Sequence, residues 1–110
     1  MSDPVAVSKN HLEDWFVKDE PVELLVAGVR LKVREIPAGR YMHLASQAVR
    51  NNKFDTDAYI NSLVKEMVIE PEFTDQDLAR LKPGIKAKLV RELETLLGVS
   101  PEALKNELSG

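Results

Sequence analysis

The 110-residue sequence predicts one α+β domain, mainly α: an N-terminal β-hairpin at residues 22–36 followed by several short amphipathic helices. Three observations carry this. Apolar residues alternate with period two from Val22 to Val33, then recur with period 3.6 from Tyr41 onwards. Pro21, Ala27-Gly28, Pro37, Asn51-Asn52, Pro71, Pro83-Gly84 and Gly98 punctuate the chain closely enough that only short elements fit between them. The composition, 44% apolar and 30% charged, suits a single soluble domain and neither a disordered nor a membrane-spanning chain.

Residues 1–9 show no period and are expected to form a loose arm, with residues 10–110 making the one domain. Asn10 followed by Glu13 has the spacing of a capping box for a short helix carrying Leu12, Trp15 and Phe16 on one face, ended by Pro21. The aromatic pair has two readings: a staple onto the core, or an anchor for another chain. Val22, Leu24 and Val26 alternate, Ala27-Gly28 turns, and Val29, Leu31 and Val33 alternate again. The opposite face of the second strand carries Arg30, Lys32 and Arg34. A lone hairpin is marginal in water, so this one must lie on helices or pair with a strand of a neighbour.

Tyr41, Leu44, Ala45, Ala48 and Val49 stripe the first amphipathic helix, which ends near Asn51-Asn52. Asp55 caps the next, with Phe54 and Tyr59 as a hydrophobic staple and Ile60, Leu63, Val64, Met67 and Val68 along its face. Thr74 and Asp77 form a capping box for a short helix, flanked by Phe73 and Leu78. Ile85, Leu89, Leu93, Leu96 and Leu97 stripe a longer helix closed by Gly98. Ser100-Pro101 then starts a last turn or two through Leu104 and Leu108.

Motifs for catalysis are weak. With no Cys, disulfides, thiolate catalysis, cysteine zinc sites and iron–sulfur clusters drop out together, and a cytoplasmic address is expected. His11 and His43 have no ligand spacing between them. Ser62 and Lys65 match a bare S-x-x-K, but inside an amphipathic helix and without the companion motifs of a penicillin-binding site. Asp55/Asp57 and Asp75/Asp77 occur at helix starts, where capping accounts for them without a metal. The five glycines never cluster into a phosphate cradle. No enzyme, cofactor or metal is expected. No apolar run approaches the ~20 residues that cross a bilayer.

Charge is more informative. Residues 1–25 carry net −4, 26–53 net +5, 54–77 net −6 and 78–110 net +2. Such alternation fits solvated helix faces, or complementary surfaces on successive copies, the basic hairpin of one meeting the acidic helix of the next. Head-to-tail copies need not close, so an open spiral is allowed. Nucleic-acid binding by the hairpin is disfavoured by the acidic overall charge, the 5% aromatic content and the acidic run Asp19, Glu20, Glu23 beside it.

The order of short motifs from Val29 to about Leu97 resembles a known family. Arg34-Glu35-Ile36 leads into Gly39-Arg40-Tyr41, then Lys53-Phe54-Asp55, Val68-Ile69-Glu70-Pro71 and Leu81-Lys82-Pro83-Gly84. This is similar to the tail assembly chaperones of long-tailed bacteriophages, the XkdN-like group of prophages and contractile tail-like particles in particular. The resemblance implies a non-enzymatic protein of the bacterial host cytoplasm that self-associates, coats the helical tape measure protein, brings tail tube subunits to it, and leaves before the tail is complete. Lys86, Lys88 and Arg91 make the leucine helix basic where the family's corresponding region is more acidic. The expected contact residues are Arg30, Lys32 and Arg34 of the hairpin with Trp15 and Phe16. The alternatives are a small nucleic-acid-binding phage regulator, or a structural tail component retained in the particle.

Overall fold

The alternating stretch forms the hairpin where the sequence places it, strands β1 (Val22–Val26) and β2 (Val29–Val33) pairing antiparallel with Val26 opposite Val29. Both turn residues lie in the left-handed region, Ala27 at φ 50° and Gly28 at φ 82°. That is the two-residue turn whose twist matches the strands, and the glycine suits it far better than the alanine. The computed structural model describes residues 9–99. The expected arm up to residue 8, the side-chain cap at Asn10 and the last helix from Ser100 through Leu108 lie outside what it describes.

Among the described residues the remaining elements are α1 (Ala38–Gln47), β3 (Val49–Arg50), β4 (Lys53–Phe54), α2 (Thr56–Met67), β5 (Val68–Glu70), α3 (Asp75–Arg80) and α4 (Pro83–Leu97). The fold is therefore α+β and mainly helical, as the periodicities predict. The caps are those read from the sequence. Asp55 accepts the Ala58 N–H at 3.0 Å, and the Phe54 and Tyr59 rings pack at 5.3 Å. Thr74 and Asp77 close a reciprocal box at 3.0 and 3.1 Å, and Gly98 ends α4 at φ 69°.

Three expectations are corrected. Val68 leaves the helical stripe: α2 stops at Met67, whose carbonyl accepts the Arg34 N–H at 2.9 Å, and Val68–Glu70 continues as a strand against β2. β5 makes the sheet three-stranded in the order β1-β2-β5, with a bulge at Ile69 between the pairs Lys32–Glu70 and Val33–Val68. The hairpin thus finds its third strand within its own chain. Asn51 and Asn52, both at positive φ, do not end a helix; they turn the tiny β3–β4 hairpin. The segment Lys9–Trp15 is a 3₁₀ helix kinked at Leu12, and it does not staple its aromatics onto the core.

The core lies where α2 and α4 pack against the sheet, α2 beside β5 and α4 beside β1, with α1 against α2. Val33, Leu63, Val64, Met67 and Leu93 are completely enclosed.

The strained turn makes a prediction. Replacing Ala27 by Asn, which tolerates the left-handed region, should stabilise the domain by roughly 1 kcal/mol, whereas Ala27→Val should cost about as much. Shifts of the urea midpoint in these opposite directions would confirm the turn; equal effects of the two substitutions would contradict it.

Candidate interaction surface

Large apolar side chains remain outside the core at two places. On the hairpin they are Leu25 and Val29, 63% and 58% exposed. Leu25 shares the outer face of the sheet with Glu23, Arg30 and Lys32, because residues of one parity point the same way along a strand. That face is less basic than the sequence suggests. Arg30 lies 4.0 Å from Glu23, and Lys32 lies 3.8 Å from Glu70 of β5. Both pairs are well exposed, so each contributes little stability, ~0–1 kcal/mol, but together they cancel most of the local charge.

Arg34 lies just beyond the strand end and does not join that face. Its Nε donates to the Glu66 carbonyl at 3.0 Å, and Arg40 grips the Glu66 carboxylate with two bonds of 2.6 and 3.1 Å. The two arginines thereby tie the hairpin exit and the first turn of α1 to the end of α2. The forked bond from Arg40 holds the Glu66 carboxyl below the usual carboxylate range, and Arg34 adds to the effect.

The second apolar place is larger. Trp15, Phe16 and Val17 are 81%, 57% and 38% exposed and border a groove of about 600 Å³. Its other walls are Ile36, the α1 residues Tyr41 and Met42, and Leu96, Leu97 and Val99 at the end of α4. Sequence periodicity missed Met42, which lies beside the α1 stripe, and placed Leu96 and Leu97 on the α4 stripe, where they pack against the core and also line the groove. Two adjacent helical residues diverge by about 100°, so a Leu-Leu pair cannot aim wholly at one core. That divergence was the available signal. Trp15 and Phe16 therefore meet each other at the groove, while Arg30 and Lys32 line a separate shallow hollow with Glu23 and Glu70.

A chain of hydroxyls lies beneath the groove wall. The Tyr41 and Tyr59 hydroxyls are 2.8 Å apart with their rings edge to face, and Tyr59 donates to Glu94 Oε2 at 3.0 Å. The chain joins α1, α2 and α4. Burial pushes both tyrosines up from their ordinary value, Tyr59 the more strongly, and burial likewise pushes Glu94 up despite the bond from Tyr59. The network sets the separation of α1 and α4, and these are two walls of the groove.

Among the described residues no group of three His, Cys, Asp or Glu is placed to hold a metal, and no helix is long and apolar enough to cross a membrane. The chain matches no known family model, no curated protein and no solved structure.

Removing the central hydroxyl with Tyr59→Phe strands Tyr41 and Glu94 together and should cost about 1–3 kcal/mol. Glu94 also gives a pH signature. Its folded pKa is raised above the ordinary 4.5, so its contribution to stability is fully present below that value and is lost as pH rises through the folded pKa. Glu94→Gln should abolish this downward slope while leaving the opposite, acid-side loss due to Glu66, whose folded pKa is lowered. Denaturation midpoints measured across mildly acidic pH would test it; an unchanged slope would exclude Glu94 as its source.

Proposed function

We propose that this chain is a bacteriophage or prophage tail assembly chaperone of the XkdN-like kind, self-associating and transiently binding the tail tube and tape measure proteins in the host cytoplasm. One observation carries the reading furthest: the folded domain leaves its only tryptophan, with Phe16 and Val17, outside its core beside an open apolar groove. Exposed apolar surface of this kind marks a binding site. A helper for an amphipathic helical client needs such surface and must bind weakly at many points, because it has to be displaced; repeated engagement along a long client supplies the strength. The motif order from Val29 to Leu97 adds to the reading.

The pairing of Arg30 and Lys32 with Glu23 and Glu70 weakens the alternative of a nucleic-acid-binding regulator, which needs unpaired cations for phosphate contacts. A retained structural component differs from a chaperone in its fate alone.

Co-expression with the tail tube and tape measure proteins of the same genome tests the proposal. The tagged chain should capture both, should be absent from purified particles, and should lose capture when Trp15 and Phe16 beside the groove are both replaced by Ser. Failure to capture either protein would refute the chaperone reading. Stoichiometric presence in finished particles would favour the structural component.

A further inference from the structure

The groove has an unusual border. Trp15 and Phe16 stand at its edge without filling it, and the segment that carries them is strongly acidic: Glu13, Asp14, Asp19 and Glu20 against Lys18 alone. None of these four carboxylates has an ion-pair partner among the described residues. Along α4 the opposite situation holds. Lys88 and Arg91 are exposed, have no acidic partner within 4.0 Å among the described residues, and lie on one helical stripe with Thr95, which lines the groove. Thr95 turns its hydroxyl back to the Arg91 carbonyl at 2.8 Å, which leaves the rim there apolar. One molecule thus presents an acidic aromatic hook and, beside it, a largely apolar groove, with Asp14 and Glu35 also in its lining and a basic approach along α4.

We propose that the occupant of the groove is the hook of a second copy of this chain. Trp15 and Phe16 of each copy enter the other's groove between α1 and the end of α4, and the carboxylates flanking them face Lys88 and Arg91. Because hook and groove adjoin, one self-complementary patch serves both copies, and reciprocal exchange closes as a twofold dimer in place of an open spiral. Trp15 and Phe16 are 81% and 57% exposed, so the four aromatics of a dimer bring less than their full ~150–250 Å² each, and by themselves fall below the ~1,200 Å² of specific, stable interfaces. The dimer is accordingly weak and reversible. Opposite charges fix the orientation and speed association more than they tighten it, so salt should weaken the dimer. The inference deepens the self-association in the proposed function and rests on that reading only there.

Sedimentation and the emission of the single tryptophan test it together. On concentration the wild-type chain should pass from monomer to dimer while Trp15 emission shifts to the blue, because the indole leaves water. Two doubly substituted chains, Trp15→Ala with Phe16→Ser in the hook and Met42→Glu in the groove with Arg91→Glu on its basic approach, alter exposed positions and should fold normally. Each alone should dimerise about tenfold or more weakly than wild type. Their equimolar mixture, which keeps one intact hook facing one intact groove, should recover dimers. Unchanged dimerisation of either variant, a mixture that stays monomeric, or a mass increase without the spectral shift would each overturn the proposal. A wild-type chain that stays monomeric yet captures the tail proteins overturns the dimer and leaves the chaperone reading; a hook-dependent dimer that captures neither does the reverse.

Discussion

One face of α2 is the constraint around which α1, α4 and the sheet are arranged. Leu63, Val64 and Met67 are wholly enclosed, with Tyr59 nearly so, and around them gather α1, α4 and the sheet. A chain of this size buries only about two-thirds of its unfolded surface, so it can build one such centre and no second. The demand on α2 explains where it stops. Its last carbonyl is taken by Arg34, and the β-branched pair Val68-Ile69 then runs more favourably as a strand beside β2 than as another helical turn. In that way a single segment supplies both the core and the third strand that the hairpin requires.

The same economy leaves the aromatic segment out. With α1, α4 and the sheet already covering α2, no apolar face remains to receive Trp15 and Phe16, and they come to rest at the rim between α1 and the end of α4. The hydroxyl chain through Tyr41, Tyr59 and Glu94 keeps those two helices at a fixed spacing. A core of apolar contacts alone would tolerate small slips of one helix past another, whereas hydrogen bonds are satisfied over a narrow range of distance. The groove is therefore as well defined as the core beneath it, although it lies on the surface.

Much of the fold was legible in the residues, and the failures follow a pattern. Features set by neighbours in sequence could be read: the Ala27-Gly28 turn, the Asp55 cap, the Thr74/Asp77 box and the Gly98 end of α4. Features set by neighbours in space could not. Val68 suits a helix stripe and a strand equally by local pattern, and pairing with β2 decides between them. Asn51-Asn52 marks a break in either case, and which break depends on whether Val49 and Phe54 find each other. Of the candidate surface, Trp15 and Phe16 could be named as a pair with two readings open, and burial of the core by other residues decided for exposure. The hairpin cations could be named too, but Glu70 reaches Lys32 only through the strand that sequence periodicity had assigned to a helix.

The domain encloses its own core and leaves apolar side chains outside it on the hairpin and at the groove. Some of the charges that alternate along the chain are paired within it, on the hairpin by Glu23 and Glu70 and on α1 by Glu66, which leaves for a partner the apolar surface, the acidic segment of Glu13, Asp14, Asp19 and Glu20, and the basic side of α4. Light scattering of the tape measure protein, titrated with this chain, tests most directly the proposal that this surface receives proteins. Scattering should fall to a plateau reached only at many chains per client, and the client should be released when tube protein is added. Scattering that does not respond to the chain at any ratio would contradict the account.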